Sequence, residues 1–384
     1  MVTISCSGKF HAFNLAEQLE KRGLLNALFT SYAYRKNTLM RRFAGRIDKE
    51  EIPVGKTHTA VPLAVLMKLR QSPHLWNDWF DRWVAGNIRQ GDGSGVFIGW
   101  TGMSLHSLRK ARRCGKVTVV ERGSAHIQYQ DRLLQEEYAK FGLRFRIDPR
   151  TVAKECREYE EADFISVPSL FAKRSFIEEG IPAEKLFLNN YGTSAIFQPP
   201  PAAAERQVFR VVYLGSLTIQ KGMKYLFQAL QSLDIPAERV EAWFIGKIDD
   251  EVRDTVAEYQ QPNWRFFGHV NHYDLPALLG QCDVGVMPSV QDGFGMVIPQ
   301  MLGCGLPVIA STNTAGEDVI ADGENGFIVP VCRPDAIRER LQWLYDHPGQ
   351  LGAMKAKAAT DIALRALSWD DYGGRYADFI KSIV

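Results

Sequence analysis

The stretch QDGFGMVIPQMLGCGLPVIAS, residues 291–311, decides how the chain is read. It opens on an acid-Gly-Phe-Gly turn, enters a helix-like segment at about Met296, and ends on the apolar run Val308–Ala310. A second apolar run, Val284–Met287, stands just ahead of it. Strand, glycine turn, helix and strand make one unit of a parallel α/β sheet. Gly293 and Gly295 allow a ligand to approach the backbone, and the first helical turn offers unpaired N–H groups to an anion. Pro299 is tolerable there, because a first turn has no intrahelical N–H bond to lose. Asp292 sits at the helix entrance and Gln300 about a turn inside. Each also has a plain reading, the Asp as a cap and the Gln as a solvated side chain.

The same alternation extends in both directions. Strands are expected at Val2–Cys6, Leu25–Thr30, Val96–Gly99, Val117–Glu121, Phe164–Val167 and Leu186–Asn189, with helical stretches between most of them, the first over His11–Arg22. The Pro/Ala-rich FQPPPAAAERQ, residues 197–207, lacks apolar periodicity and reads as a linker. Strands resume near Phe209–Leu214, Val240–Ile245, Arg265–Phe267, Val284–Met287, Val308–Ala310 and Gly326–Val329. The expected fold is therefore α/β, two Rossmann-like doubly wound parallel-sheet domains facing across a cleft. Their expected bounds are 1–196 and 208–367 around the linker 197–207. A length of 384 residues suits two such domains.

Composition narrows the function classes. Hydrophobic content of 46% and charged content of 23% describe a soluble globular chain, and a net charge of +2 gives no reason to expect a nucleic-acid partner. No apolar run reaches the roughly 18–20 residues of a membrane span. The opening MVTISCSGKF does not read as a signal peptide. Six scattered cysteines without a Cys-x-x-Cys point to free thiols and a reducing, cytoplasmic setting. Residues 34–90 carry eleven Lys/Arg against five acids, interleaved with Trp76, Trp79, Phe80 and Trp83. That mixture suits docking on the anionic inner leaflet of a membrane; a solvated helix with an inward aromatic stripe is the plainer reading.

In doubly wound sheets ligands bind beyond the carboxyl ends of strands. The turn YLGSLTIQKGMKYL, residues 213–226, places Gly215 at a tight bend and Lys221 just ahead of a helix, where an ammonium meets phosphate. The segment NTAGEDVIADGENGFIV, residues 313–329, brings a small-residue turn at Thr314, Ala315 and Gly316. In the first half, Gly8, Lys9 and His11 follow the first strand, and Glu121, Arg122, Gly123, Ser124 and His126 follow another. A histidine there either bonds a sugar hydroxyl or starts a helix. No Asp-x-Asp triplet occurs, so no metal-bridged diphosphate site and no metal ligand are expected. Phosphate-loop, dinucleotide and esterase motifs are absent as well.

Together these segments resemble the retaining glycosyltransferases of family 4, of GT-B architecture. YLGSLTIQKGMKYLFQAL, FFGHVNHYDLPALLGQCDVGVMPSVQDGFGMVIPQMLGCGLPVIAS and GEDVIADGENGFIVP follow the family's order and spacing. EYEEADFISVPSLFAKRSFIEEGIPAEKLFLNNYGTSAIFQP (158–199) looks like its interdomain stretch, and about 300 residues are covered. The resemblance implies an enzyme that needs no cofactor, using a UDP- or GDP-sugar donor and a glycan or lipid-linked acceptor. Lys221 would bind the diphosphate and, with Asp292 and His126, form the catalytic set. Gly215, Ser216, Gly293, Phe294, Gly295, Met296, Val297, Gln300 and Val270 would line the donor, and Gly8, Lys9 and His11 the acceptor side. The last segment, 368–384, would cross back onto the first domain. Three positions depart from the family: Ser216 replaces a basic residue, Asp292 a Glu, and Gln300 a second Glu. Arg174, Lys247 and Arg122 are candidates for the missing cation. A nucleotide-sugar-binding partner subunit of little activity is the rival expectation; an epimerase or a periplasmic sugar-binding protein stands further behind.

Overall fold

The computed structural model describes residues 1–8, 10–31, 52–60, 73–199, 208–364 and 366–384. Lys9, much of the basic window 34–90 and most of the expected linker lie outside the described residues. The first sheet holds β1 (Val2–Cys6), β2 (Leu25–Thr30), β3 (Thr57–Thr59), β4 (Val96–Trp100), β5 (Val117–Glu121), β6 (Phe164–Val167) and β7 (Leu186–Leu188). The second holds β8 (Phe209–Leu214), β9 (Val240–Ile245), β10 (Trp264–Gly268), β11 (Val284–Met287), β12 (Val308–Ser311) and β13 (Gly326–Val329).

Their orders are β3-β2-β1-β4-β5-β6-β7 and β10-β9-β8-β11-β12-β13, and the paired strands run parallel. Central strands such as VTISC in β1 and VFIGW in β4 are buried along their whole length. Both faces are covered by helices, which is why these strands read as continuous apolar runs rather than alternating ones. The strand order reverses between β1 and β4, and again between β8 and β11. Those are the switch points where strand-end loops part and leave a crevice.

One strand, β3, carries no such signal. Its sequence THT is polar, and it forms by adding to the edge of β2, with Leu28, Phe29 and Thr30 opposite Thr57, His58 and Thr59. In the described part of the basic aromatic window, the helix Pro73–Asn87 buries Phe80 and Val84 while Trp79 stays exposed. Phe197, at the head of the expected linker, is buried against Gly303 and the ring of His272. All six cysteines are free. Among the described residues no helix is long and apolar enough to cross a membrane.

The terminal helix Trp369–Ser382 lies on the first domain's helix Ala12–Lys21. Ser368 and Asp371 form a capping box at its start. Arg22 bonds Asp370 at 2.9 Å, and Arg375 bonds Asn189 and the carbonyls of Asn190 and Ala366. Gly192 lets the crossover pass this helix: a Cβ there would stand 2.4 Å from the backbone nitrogen of Trp369. Gly192→Ala must therefore push backbone against backbone, at a cost of roughly 1–3 kcal/mol. Chemical denaturation should show that loss; unchanged stability would mean that the crossover and the terminal helix are not held this tightly.

Candidate functional site

The loops leaving β8 and β11 meet at the second switch point. Gly215 takes φ +137° and Gly222, which starts the helix Met223–Gln231, takes φ +71°. A Cβ at Gly222 would stand 2.1 Å from the carbonyl oxygen of Pro288, so glycine is what allows the two loops to touch. Between them Lys221 and Asp292 form an ion pair through Nζ and Oδ2, with both side chains about a fifth exposed. The other carboxylate oxygen of Asp292 accepts from the N–H groups of Phe294 and Gly295, at 3.3 and 3.0 Å. One carboxylate thus gathers an ammonium and two backbone donors, the set of groups that would greet a phosphate.

The expected donor-side residues surround this pair. Ser216 is exposed, and its carbonyl accepts from Tyr213. Gly295 takes φ +74°, Met296 and Val297 are half-buried, and Gln300 lies on the helix Val297–Gly303 with no side-chain partner among the described residues. Val270 packs half-buried beyond β10. Phe294 contributes its N–H only; its ring is buried against Tyr191, 5.2 Å between centroids.

The first domain meets the same loop from across the cleft. A Cβ on Gly293 would stand 2.0 Å from the carbonyl oxygen of Gly123. The carbonyl of Gly293 accepts from Ser169 Oγ at 2.5 Å. Gln291, fully buried, accepts from Gln220 at 2.8 Å and donates to Ser124 at 2.7 Å. Ser124, Gln130 and Arg122 continue this chain to the buried Glu155. At its far end the helix Ile127–Ala139 reaches the second domain again. Tyr138 donates to Glu251, which also accepts from Ile219 N–H, and Tyr225 donates to Glu137. Residues 123–139 thus form a roof that meets the second domain at the Gly293 turn, next to Asp292, and again at Glu251. None of Gln291, Ser169, Tyr138 and Glu251 stands out in the sequence, because each acquires its meaning from the opposite domain.

Two expected residues are placed elsewhere. His126 caps the roofing helix: its Nδ1 accepts from Gln128 N–H and its ring packs on Tyr159 and Phe176. It is 3% exposed. Burial pushes its pKa down to about 4. His11 bonds Glu121 at 2.9 Å within a cage of Trp100, Tyr191 and Tyr372, and Tyr191 in turn packs on Phe294. A Cβ on Gly8 would meet the ring of Phe10. Of the candidate cations, Arg122 is committed to Glu155 and Arg174 to Glu317, while Lys247 is exposed in the turn after β9. Asp78, Asp81 and His106 lie close enough together to hold a metal ion, but Lys154 already stands 3.2 Å from Asp81 and 3.6 Å from Asp78. Asp81 also accepts from the N–H groups of His106 and Ser107, a structural cap for the helix Leu105–Arg113.

With this geometry in place, the likeness to known proteins can be located. Residues 208–347, which contain both loops, match the family described as glycosyl transferases group 1. The match falls within the second domain. D-rhamnosyltransferase WbpZ of Pseudomonas aeruginosa is 30% identical over 185 residues, 46% of this chain and 48% of that protein. O-antigen chain mannosyltransferase B of Escherichia coli is 30% identical over 141 residues, 35% and 36% of the two chains. The chain thus spans about half or less of the curated relatives it matches. Solved structures match throughout: Anabaena HepE in complex with UDP has a TM-score of 0.68 at 16% identity, covering 100% of this chain and 99% of that one. WaaG, a glycosyltransferase involved in lipopolysaccharide biosynthesis, gives 0.69 at 16% identity, covering 99% of each. These neighbours share the fold of two parallel-sheet domains that the strand pattern implies, the GT-B architecture expected from the resemblance.

The roof has two measurable consequences. Gln291→Met removes one hydrogen bond across the cleft, to Ser124, and one within the second domain, from Gln220, about 1–3 kcal/mol in all. Solution scattering should then report a larger radius of gyration; an unchanged radius would mean that the amide does not hold the domains together. His126 binds a proton less readily folded than unfolded, so stability should fall as pH drops from about 6.5 toward 4, by roughly 3 kcal/mol at most. His126→Asn keeps a capping group and removes the titration, so its stability profile should be flatter over that window. A profile parallel to the parent's would show that the imidazole is not held neutral.

Proposed function

We propose that the protein is a retaining, metal-independent glycosyltransferase that moves a sugar from a nucleoside-diphosphate sugar to a hydroxyl acceptor. The observation that carries this reading is the meeting of Lys221, Asp292 and the Gly293–Gly295 turn at the switch point of the group 1 domain, under a roof from the other domain. Cleaving a sugar–diphosphate bond needs stabilisation of the charge that grows on the leaving phosphate. Lys221 and the N–H groups of Phe294 and Gly295 supply it when the phosphate takes over the place of the Asp292 carboxylate. Each such donor is worth about 2.7–4 kcal/mol. Asp292, released, accepts from hydroxyls of the transferred sugar. Gln300 accepts from one ribose hydroxyl and donates to the other, where a carboxylate would accept from both. The acceptor hydroxyl attacks from the face that the diphosphate leaves, and a leaving phosphate oxygen takes its proton. Closure of the roof excludes water and fixes the geometry.

A UDP- or GDP-sugar suits the site, and a growing surface polysaccharide or its lipid-linked precursor is the acceptor we infer. Relatives named for O-antigen and capsular polysaccharide synthesis support that choice. One observation favours the rival, a nucleotide-sugar-binding partner subunit with little turnover: the cation and both N–H donors are already occupied by Asp292.

Turnover separates the two readings. Incubation with UDP- and GDP-sugars and lipid-linked or free glycan acceptors should give product in the presence of a chelator. NMR of early product should show the donor's anomeric configuration kept, and Lys221→Ala should lower the rate roughly 100- to 1,000-fold. Inverted product would sink the front-face mechanism. Activity lost to the chelator and restored by magnesium would sink the metal-independent one. Binding without turnover would favour the partner subunit.

A further inference from the structure

The site as described is short of positive charge. A nucleoside diphosphate brings at least two negative charges to a place where the ammonium found among the described residues, on Lys221, already faces a carboxylate. The arrangement of β8 and β9 sets another lysine beside the turn after β8. The two strands pair in parallel, with Tyr213 opposite Phe244 and Leu214 opposite Ile245. The pairing survives the glycines that end them. Gly215 N–H donates to the Ile245 carbonyl and Leu217 N–H to the Lys247 carbonyl, each at 2.9 Å, and Asp249 N–H returns to Leu217 at 3.1 Å. Leu217 and Ile248 form the next bridge. The offset of 31 residues that pairs Leu214 with Ile245 also pairs Leu217 with Ile248, and it sets Ser216 opposite Lys247.

Opposite residues of a parallel ladder share a face and stand about 4.8 Å apart. The two turns are as close as backbone permits, since a Cβ on Gly246 would stand 1.8 Å from the carbonyl oxygen of Gly215. Lys247 is exposed and has no carboxylate partner among the described residues. The acids that follow it are engaged otherwise. Asp249 caps the N–H of Glu251, Asp250 pairs with Arg253, and Glu251 accepts from Tyr138 and Ile219 N–H.

We propose that Lys247 is the second cation of the diphosphate site, supplying from the turn after β9 the charge that Ser216 does not supply from the turn after β8. A flexible four-carbon stem bridges one strand spacing, and an ammonium serves phosphate as a point charge without the fixed approach of a guanidinium. The inference rests on the nucleotide-sugar reading above.

Calorimetric titration of the whole chain with UDP, GDP, UMP and GMP tests it. The parent protein should bind one of the diphosphates. Lys247→Ala should weaken that binding roughly 10- to 150-fold, the worth of a hydrogen bond to a charged group, and weaken the matching monophosphate less. Its melting temperature should match the parent's. Adding Ser216→Lys to Lys247→Ala should restore most of the lost affinity, because the register sets the two positions side by side. Diphosphate binding unchanged by Lys247→Ala, or equal losses for mono- and diphosphate, would overturn the assignment while leaving the donor site in place. A parent protein that binds neither diphosphate would remove the donor reading, and this inference with it.

Discussion

The close approach of Gly293 to Gly123 and Ser124 is the contact on which the site depends. With no room for a Cβ, the β11 loop meets the β5 loop backbone to backbone. Everything that assembles around Lys221 is fixed relative to that contact. Asp292 follows from the turn that Gly293 allows, and Gln291, one residue earlier, is buried because the two loops enclose it. A side chain at position 293 would separate the domains by more than the reach of the hydrogen bonds from Ser169 and Gln291, and the roof would no longer cover the pair.

The Lys221–Asp292 pair then acquires a specific meaning. A half-buried ammonium beside two inward backbone N–H groups is costly to leave unsatisfied. The neighbouring carboxylate satisfies all three, one oxygen on the ammonium and the other on both N–H groups. Asp suits this better than a longer acid would, since its short stem returns to the N–H groups of its own turn, an Asx-type bond that Glu reaches poorly. The departure from the family's Glu is thus tied to local backbone geometry as well as to reach toward a sugar.

What the sequence made legible follows the same division. Twelve strands are readable because parallel strands covered on both faces are written as unbroken apolar runs, Val2–Cys6 and Val96–Trp100 among them. Thr57–Thr59 is not readable, since its three polar residues become a strand only when β2 offers an edge. Lys221, Asp292 and the glycines of both loops are visible because glycine before a helix has a local physical cause. Gln291 is invisible: its partner Ser124 lies 167 residues away, and a glutamine before an acid has no local signature. His126 shows the limit of local reading. A histidine after a strand suits a ligand or a cap equally well, and the packing on Tyr159 and Phe176 that accompanies the cap has no signature in the sequence.

The two sets of contacts between the halves differ in kind, and the difference bears on motion. At the crossover, Tyr191, Trp369, Tyr372 and Tyr376 stack into an apolar cluster closed by the terminal helix, the sort of contact that loses its full burial energy if parted. Across the cleft the contacts are hydrogen bonds: Ser169 to Gly293, Gln291 to Ser124, Tyr138 to Glu251, and Leu170 and Asn190 to Asp318. Water replaces such bonds at a net loss of only about 0.5–1.5 kcal/mol each. Burial raises the pKa of Asp318 to about 6, so above that pH closing the cleft must also desolvate its charge. The apolar contact at the crossover is therefore the costlier of the two to part, and the polar face across the cleft the one that water can share. On the nucleotide-sugar reading proposed above, a site that admits a large donor and then excludes water needs that division.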